Sequence, residues 1–236
     1  DAFCREFLTR AEQMRGELCA QDAGFTVSAQ PDGCVQEAFC SALTDGVTAA
    51  DLTVNEPALI GWLHTLEAIS QLCMASARYR AAANYARRVL KAEGYPTRAA
   101  GTVLLALARL EDQDGFFALA HQLEEEIGAD ALENSPWYLL ARTILLFKTN
   151  KMRPATRALR EFANRCEGGA FFLLNPMYQT PYLPCRPEPR DPWDLSHQAV
   201  WEADGIISDA PDFAPWANAC EDVSQLAQEF ARRYGF

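Results

Sequence analysis

The chain has 236 residues, of which 49% are hydrophobic, and its formal net charge is −11. A chain of this length and composition can bury a substantial core, which disfavours wholesale disorder. The acidic charge disfavours nonspecific binding to nucleic acid or to an anionic membrane surface, because both need a basic face. No apolar run approaches the roughly 18 residues that span a bilayer.

Helical periodicity begins at the N-terminus. Apolar positions three to four residues apart predict a helix over Phe3–Ala20 and a shorter helix over Val35–Leu43. Asp22–Asp32 and Thr44–Asn55 are predicted to be irregular connections, because glycine, proline and small polar residues interrupt the pattern there. Residues 1–53 are therefore predicted to form a helical N-terminal extension.

Longer helices follow in pairs joined by short turns. Pro57 is suited to open a helix, where its missing N–H costs nothing, and Ser135 with Pro136 predicts an N-cap followed by the first helical residue. No segment alternates with a period of two over enough residues to predict a strand. The predicted helices are Pro57–Ala75, Arg78–Glu93, Pro96–Leu110, Gly115–Ile127, Ser135–Thr149, Met152–Cys166, Trp193–Ser208 and Phe213–Tyr234.

A proline-rich, aromatic stretch, Cys166–Asp194, separates the last two predicted helices from the others. It holds six of the 13 prolines. Pro184–Pro187 has the loose PxxP form of an exposed polyproline ligand. The apolar residues within Phe171–Leu183 are too many to leave in water as one patch, and this favours an ordered loop packed against the helices.

The second helices of successive pairs share a pattern of small residues. Tyr79-x2-Ala82-x3-Ala86-x2-Val89 is followed by Pro96, and equivalent small residues recur near Ala118 and at Ala155. In a first helix, Trp137-x2-Leu140-Ala141 matches a W-x2-L-[GA] start. A small residue on the second helix lets the first helix of the same pair approach closely.

These patterns resemble the tetratricopeptide-like helical repeat proteins over Pro57–Cys166. The C-terminal part is similar to the suppression-of-tumorigenicity type of such proteins, in which an Asn-Pro segment precedes Tyr-Leu, a proline-rich passage and an amphipathic helix. The matching residues are Asn175-Pro176, Tyr182-Leu183, Pro184–Pro192, His197–Ala203 and Trp216. Pro184 and Cys185 stand where such proteins often carry a glycine. The resemblance implies no reaction.

The expected fold is all-α: a right-handed stack of antiparallel helix pairs, a TPR-like α-α superhelix with a long, ordered, proline-rich loop. The expected segments are residues 1–53, the repeats at 54–167, and the loop with closing helices at 168–236. Trp137, Leu140, Ile144 and Leu159 are expected in the core, with Ala155 facing a closely approaching helix.

Candidate chemistry is sparse. The eight cysteines include no Cys-x-x-Cys, and the three histidines have no metal-ligand spacing, so neither a metal nor another cofactor is expected. Disulfides remain open, for example Cys19 with Cys34 or Cys40. Cys185, His197 and Asp194 form the only local hydrolase-like trio, without the sequence context of a known nucleophile. Besides a binding protein, the sequence is compatible with a hydrolase-type enzyme whose site is unrecognised and with a purely structural module of a longer chain.

The leading functional prediction is therefore binding of a protein or peptide in a concave groove lined by first helices, without catalysis. Arg109 and Arg142 are predicted to hold an acidic ligand through paired hydrogen bonds, with Tyr138 adding apolar contact. The alternative is that these arginines pair with carboxylates of neighbouring helices or with the proline-rich loop. The predicted lining residues are His64, Glu67, Gln71, Arg98, Leu105, Arg109, Tyr138 and Arg142.

The expected location is the cytoplasm. A secreted or surface location stays open, because the chain begins at Asp1 rather than Met.

Overall fold

A computed structural model describes residues 57–90, 98–180 and 189–236, with side chains from Leu63 onward. Over these ranges the protein is helical, with eleven α-helices, one 3-10 helix and no strand. The prediction of an all-α class is confirmed at this level. The predicted helices Phe3–Ala20 and Val35–Leu43, with their connections, lie outside the described residues.

The predicted and observed helices agree closely except in the C-terminal half. The observed helices are α1 (Pro57–Ala75), α2 (Tyr79–Leu90), α3 (Ala99–Arg109), α4 (Gln113–Ile127), α5 (Ala129–Glu133), α6 (Pro136–Lys148), α7 (Met152–Arg165), α8 (Gly169–Leu174), α9 (Asp194–Ser208), α10 (Phe213–Asn218) and α11 (Glu221–Tyr234), with the 3-10 helix at Pro176–Tyr178. The predicted helix Phe213–Tyr234 is two helices. The Ser224 hydroxyl donates to the Asn218 carbonyl over 2.8 Å, which satisfies an acceptor where the helix breaks.

The chain is divided into two compact units, residues 1–103 and residues 104–236, and the boundary between them lies inside α3. In the first unit α1 packs against α2. Leu63 and Leu66 of α1 and Ala82 and Ala86 of α2 have no exposed surface. The division into three segments that the sequence predicts stays a prediction.

One turn geometry recurs three times along the chain. Ala77, Glu111 and Asn150 follow α1, α3 and α6 in the left-handed backbone region, with φ of 58°, 59° and 57°. In each turn the next N–H reaches the carbonyl five residues back, which completes a Schellman motif. These hydrogen bonds are Arg78 N to Cys73 O at 2.7 Å, Asp112 N to Leu107 O at 3.1 Å and Lys151 N to Leu146 O at 2.9 Å.

The recurring turn fixes the register of the second helices. The fifth residue after each left-handed residue is Ala82, Phe116 or Ala155, and all three have no exposed surface. Ala118, which the sequence pattern placed in this position, is exposed, so that assignment is wrong by two residues. Phe116 takes the place of the small residue and stacks on Tyr138 with a centroid distance of 6.0 Å.

The second unit is built around α6 and α7, which pack against each other. Helix α9 packs on α6 and α11 packs on α7, while α8 contacts α7, α9, α10 and α11. The predicted core residues Trp137, Leu140, Ile144 and Leu159 are at most 5% exposed, which confirms them. Ser135 caps α6 as predicted, its hydroxyl accepting from the Tyr138 N–H at 3.5 Å.

The start of the proline-rich stretch differs from its prediction as a loop. Gly168, with φ of 72°, ends the preceding turn, and Gly169–Leu174 forms α8. Phe171, Phe172 and Leu173 are at most 3% exposed, which confirms the predicted burial there. Met177 is 84% exposed and Tyr178 is 41% exposed, so the predicted burial is wrong for these two residues. Residues 181–188, including Tyr182 and Leu183, lie outside the described part.

Candidate binding surfaces

The predicted groove residues of the first unit differ in accessibility. His64 is exposed, and Glu67 and Arg98 are partly exposed. Gln71 is only 4% exposed, so its amide is buried rather than presented to a ligand. Gln71 follows Glu67 by four residues, which places the two on neighbouring positions of one helical row. The accessible part of this row is therefore at His64 and Glu67.

Arg109 and Arg142, in the second unit, both make ion pairs. Arg109 pairs through Nη2 with the Asp209 carboxylate at the end of α9. Arg142 pairs through Nη1 with Glu161 Oε2 of α7 at 3.1 Å. The alternative in which these arginines pair with carboxylates of neighbouring helices is therefore the observed arrangement. Leu105, predicted on the same face, has no exposed surface.

Tyr138 and Arg142 lie one helical turn apart on α6 and share a face. Tyr138 is partly exposed, and its ring stacks on the ring of Phe116 at an interplanar angle of 18°. The Arg142 side chain is 27% exposed and that of Glu161 is 34% exposed. A flat aromatic ring beside an accessible guanidinium–carboxylate pair defines one candidate surface, here called the Tyr138–Arg142 site.

A buried hydrogen bond also attaches α6 to α9. The Trp137 indole Nε1–H donates to Glu202 Oε2 of α9 at 3.0 Å, and both residues are less than 9% exposed. The sequence predicts Trp137 as core but gives no sign of its partner, which lies 65 residues further along the chain. This contact links α6 to α9 and thus supports the helix that carries the Tyr138–Arg142 site.

His197 and Asp194 attach the chain on both sides of residues 181–188 to the first turn of α9. His197 Nε2 accepts the Thr180 N–H at 3.0 Å. Asp194 Oδ2 accepts the N–H groups of Arg190 at 2.7 Å and Asp191 at 3.0 Å. Burial lowers the pKa of His197 below its ordinary value, and the nearby Asp194 carboxylate opposes this shift. Burial therefore favours the neutral imidazole that this hydrogen bond requires.

His197 and Asp194 are two members of the hydrolase-like trio, so their hydrogen bonds show how far the trio could act in catalysis. Cys185 lies outside the described residues. The Nε2 atom of His197, which a general base would use, already accepts a backbone hydrogen bond. The Asp194 carboxylate accepts two backbone N–H groups and so caps a backbone turn.

Three of the eight cysteines lie in the described part, Cys73, Cys166 and Cys220, and none of these three forms a disulfide. Burial raises the pKa of the Cys166 thiol to about 12, with Arg165 opposing the shift. Burial also raises the pKa of Cys220, and Asp222 adds to this effect. Both groups are thus protonated thiols at neutral pH, which are poor nucleophiles. Among the described residues, no three His, Cys, Asp or Glu side chains are grouped so that they could hold a metal ion.

A cavity of about 220 Å³ lies between α7, α8 and α11. Phe171 and Phe230 form part of its apolar wall, while Glu167 and Arg233 contribute charge. These two charged groups pair at 2.9 Å, and the Tyr234 hydroxyl donates to Glu167 at 3.3 Å. Glu167 and Arg233 are therefore engaged with each other rather than arranged around a reacting atom.

Comparisons with protein families, with curated proteins and with solved structures find no match for this chain. Within the described ranges, no helix has the length and apolar character needed to cross a membrane.

Proposed function

We propose that the chain is a tetratricopeptide-like helical repeat scaffold that binds a protein or peptide and performs no catalysis. The observation that carries this proposal is the recurrence of one helix–turn–helix geometry. Glu111 follows Ala77 by 34 residues (111 − 77) and Asn150 follows Glu111 by 39 (150 − 111). The first spacing equals the period of tetratricopeptide repeats, and the second is longer because α5 lies within it.

The proposed architecture is a right-handed stack in which these pairs follow one another. The proposed similarity to the suppression-of-tumorigenicity type is supported by the positions of three of its matched residues. Asn175 with Pro176 begins the 3-10 helix after α8. Trp216 of α10 packs on Phe147 of α6 at a centroid distance of 4.8 Å.

The proposed binding surface is the Tyr138–Arg142 site, and its ligand is an acidic peptide segment. The Arg142–Glu161 pair is partly exposed, and exposed pairs of this kind contribute only about 0.2–1 kcal/mol. A ligand carboxylate that replaces Glu161 keeps the charge of Arg142 balanced, while the Tyr138 ring adds apolar contact. Glu161 is thus an internal competitor for the ligand.

A hydrolase and a purely structural module would each behave differently from a binding scaffold. A hydrolase needs a nucleophile, a base and an orienting acid that converge on one point. The Cys166 and Cys220 thiols are protonated, and His197 Nε2 accepts a backbone N–H, which favours the binding proposal. A purely structural module would have no peptide ligand at all.

A peptide library displayed on phage and selected against the whole chain tests the proposal. We expect acidic peptides to be enriched and to bind several-fold more tightly to Glu161→Gln, because the internal competitor is removed. Arg142→Gln should weaken the same peptides by roughly tenfold. Arg165→Gln is a matched control, since Arg165 also pairs with a glutamate, Glu133, and its removal changes the net charge equally.

Failure to enrich any peptide would favour the structural module. Selected peptides that bind Arg142→Gln as well as the unaltered chain would place the ligand elsewhere.

A further inference from the structure

The outer face of α7 carries a line of basic side chains. Arg153, Arg157 and Arg160 lie at i, i+4 and i+7, which places them in one row, and all three are exposed. Arg160 pairs through Nε with Asp222 Oδ2 at 2.6 Å. Arg153 and Arg157 make no ion pair or side-chain hydrogen bond with any described residue. The only acid within one turn of Arg157 on α7 is Glu161, and it pairs with Arg142 instead.

This arrangement is unfavourable for the helix by itself. Arg153 lies in the first turn of α7, which contains no acidic residue, although the helix dipole disfavours a cation there. Arg153 and Arg157 are like charges four residues apart, which repel each other. By contrast, the first turn of α4 contains Asp114, and the first turn of α11 contains Glu221 and Asp222. The basic row is therefore not explained by the stability of α7.

Two of the three arginine positions are also basic in α2, whereas Asn84 stands at the position of Arg157. Arg80 and Arg87 follow the left-handed residue Ala77 by three and ten residues, as Arg153 and Arg160 follow Asn150. Arg80 and Arg87 are exposed as well. The equivalent positions in α4 hold Asp114 and His121, so two of the three second helices described share the feature.

We propose that Arg153 and Arg157 form a docking surface for an acidic protein segment. Two guanidinium groups one helical turn apart match two carboxylates spaced one turn apart on a partner helix, and each can donate a pair of hydrogen bonds. The chain's net charge of −11 repels densely charged polymers such as nucleic acid, whereas a short acidic segment interacts mainly with the local positive field. Its two arginines differ from the residues of the Tyr138–Arg142 site, although Glu161, the partner of Arg142, lies one turn from Arg157 on the same helix.

The probe is a fluorescein-labelled helical peptide with glutamates four residues apart along one face, and its control is a peptide of the same composition in scrambled order. Fluorescence anisotropy with the whole chain measures the affinity. Arg153→Gln with Arg157→Gln should weaken binding of the patterned peptide by roughly tenfold. Arg153→Lys with Arg157→Lys keeps the charge and should weaken it by only about threefold.

The matched control is Arg232→Gln with Arg233→Gln on α11, which lowers the net charge by the same two units. We expect this control to change the affinity by less than about twofold, because long-range charge alone acts weakly at physiological salt. Equal losses in the two double variants would overturn the proposal, since overall charge would then be the cause. Circular dichroism on each variant checks that the helices are retained.

Two further outcomes would also overturn it. One is tighter binding of a DNA duplex or of phosphatidylserine vesicles than of the patterned peptide, with the same dependence on Arg153 and Arg157. The other is absence of binding by any probe, which would make the row a solvated helix face. The Tyr138–Arg142 site is also proposed to bind acidic peptides, so the comparison is repeated in an Arg142→Gln background. The tenfold loss with Arg153→Gln and Arg157→Gln should persist there, and its disappearance would assign the binding to the Tyr138–Arg142 site and overturn this proposal.

Discussion

Trp137 and Glu202 meet through a buried hydrogen bond of 3.0 Å between the indole N–H of α6 and the carboxylate of α9. Replacement of Glu202 by alanine should lower the free energy of unfolding by roughly 1.5–3 kcal/mol, the range for a buried hydrogen bond to a charged group. Glu202→Gln keeps an acceptor oxygen and should cost less than about 1 kcal/mol. Urea denaturation measures both. Equal stability of the two variants would show that the hydrogen bond contributes nothing beyond packing.

The register of the second helices can be tested with one substitution at two positions. Ala155 is fully buried, so Ala155→Leu should overpack the interface between α6 and α7 and cost on the order of 1–3 kcal/mol. Ala118 is exposed, and Ala118→Leu should change the stability by less than about 0.5 kcal/mol. The comparison is made by thermal or urea denaturation. A large loss with Ala118→Leu would restore the register predicted from the sequence.

The recurring turns hold non-glycine residues in a backbone region that suits glycine. Ala77 and Glu111 have φ of 58° and 59°, so Ala77→Gly and Glu111→Gly should each stabilise the protein by about 0.5–1 kcal/mol. Asn150→Gly should gain less, because asparagine tolerates this region better. Ala82→Gly in the interior of α2 should instead destabilise by about 1 kcal/mol or more. A loss of stability in the turn variants would contradict the Schellman geometry.

The hydrogen bond to His197 predicts a dependence of stability on pH. Its pKa is lowered by burial below the ordinary 6.5, so the unfolded chain binds the proton more readily than the folded chain. The contribution of His197 to the free energy of unfolding is therefore complete above about pH 6.5. It is lost progressively as the pH falls through the pKa of His197 in the folded chain. Protonation also removes the Nε2 lone pair that accepts the Thr180 N–H.

The measurement is the free energy of unfolding of the unaltered chain and of His197→Gln between pH 8 and pH 5. The difference between the two should shrink with falling pH, because the substituted side chain does not titrate. A constant difference would mean that His197 binds protons equally in the folded and unfolded states.

Local signals explain why most helices were predictable. The capping serine before α6 and the spacing of apolar residues in α2 and α7 act within a few residues of chain. Helix α8 carries no such signal. Its residues Gly169–Leu173 are all buried, so no polar side alternates with an apolar one, and the surrounding glycines and prolines suggest a loop.

Long-range pairing explains what the sequence left undetermined at the candidate sites. Arg109 pairs with a carboxylate 100 residues further along the chain. From the sequence, an acidic ligand and an internal carboxylate were equally acceptable partners for Arg109. Local residue spacing carries no information about an ion pair between residues so far apart in the chain. In the same way, only the positions of the left-handed residues show that Phe116, rather than Ala118, is equivalent to Ala155.

The backbone N–H groups of Thr180 and Arg190 are both held by side chains of one turn of α9. Asp194 and His197, the two acceptors, are three residues apart, a rise of about 4.5 Å along the helix. Unwinding of the first turn of α9 would therefore release Thr180 and Arg190 together, so these two backbone attachments and that turn form one cooperative unit.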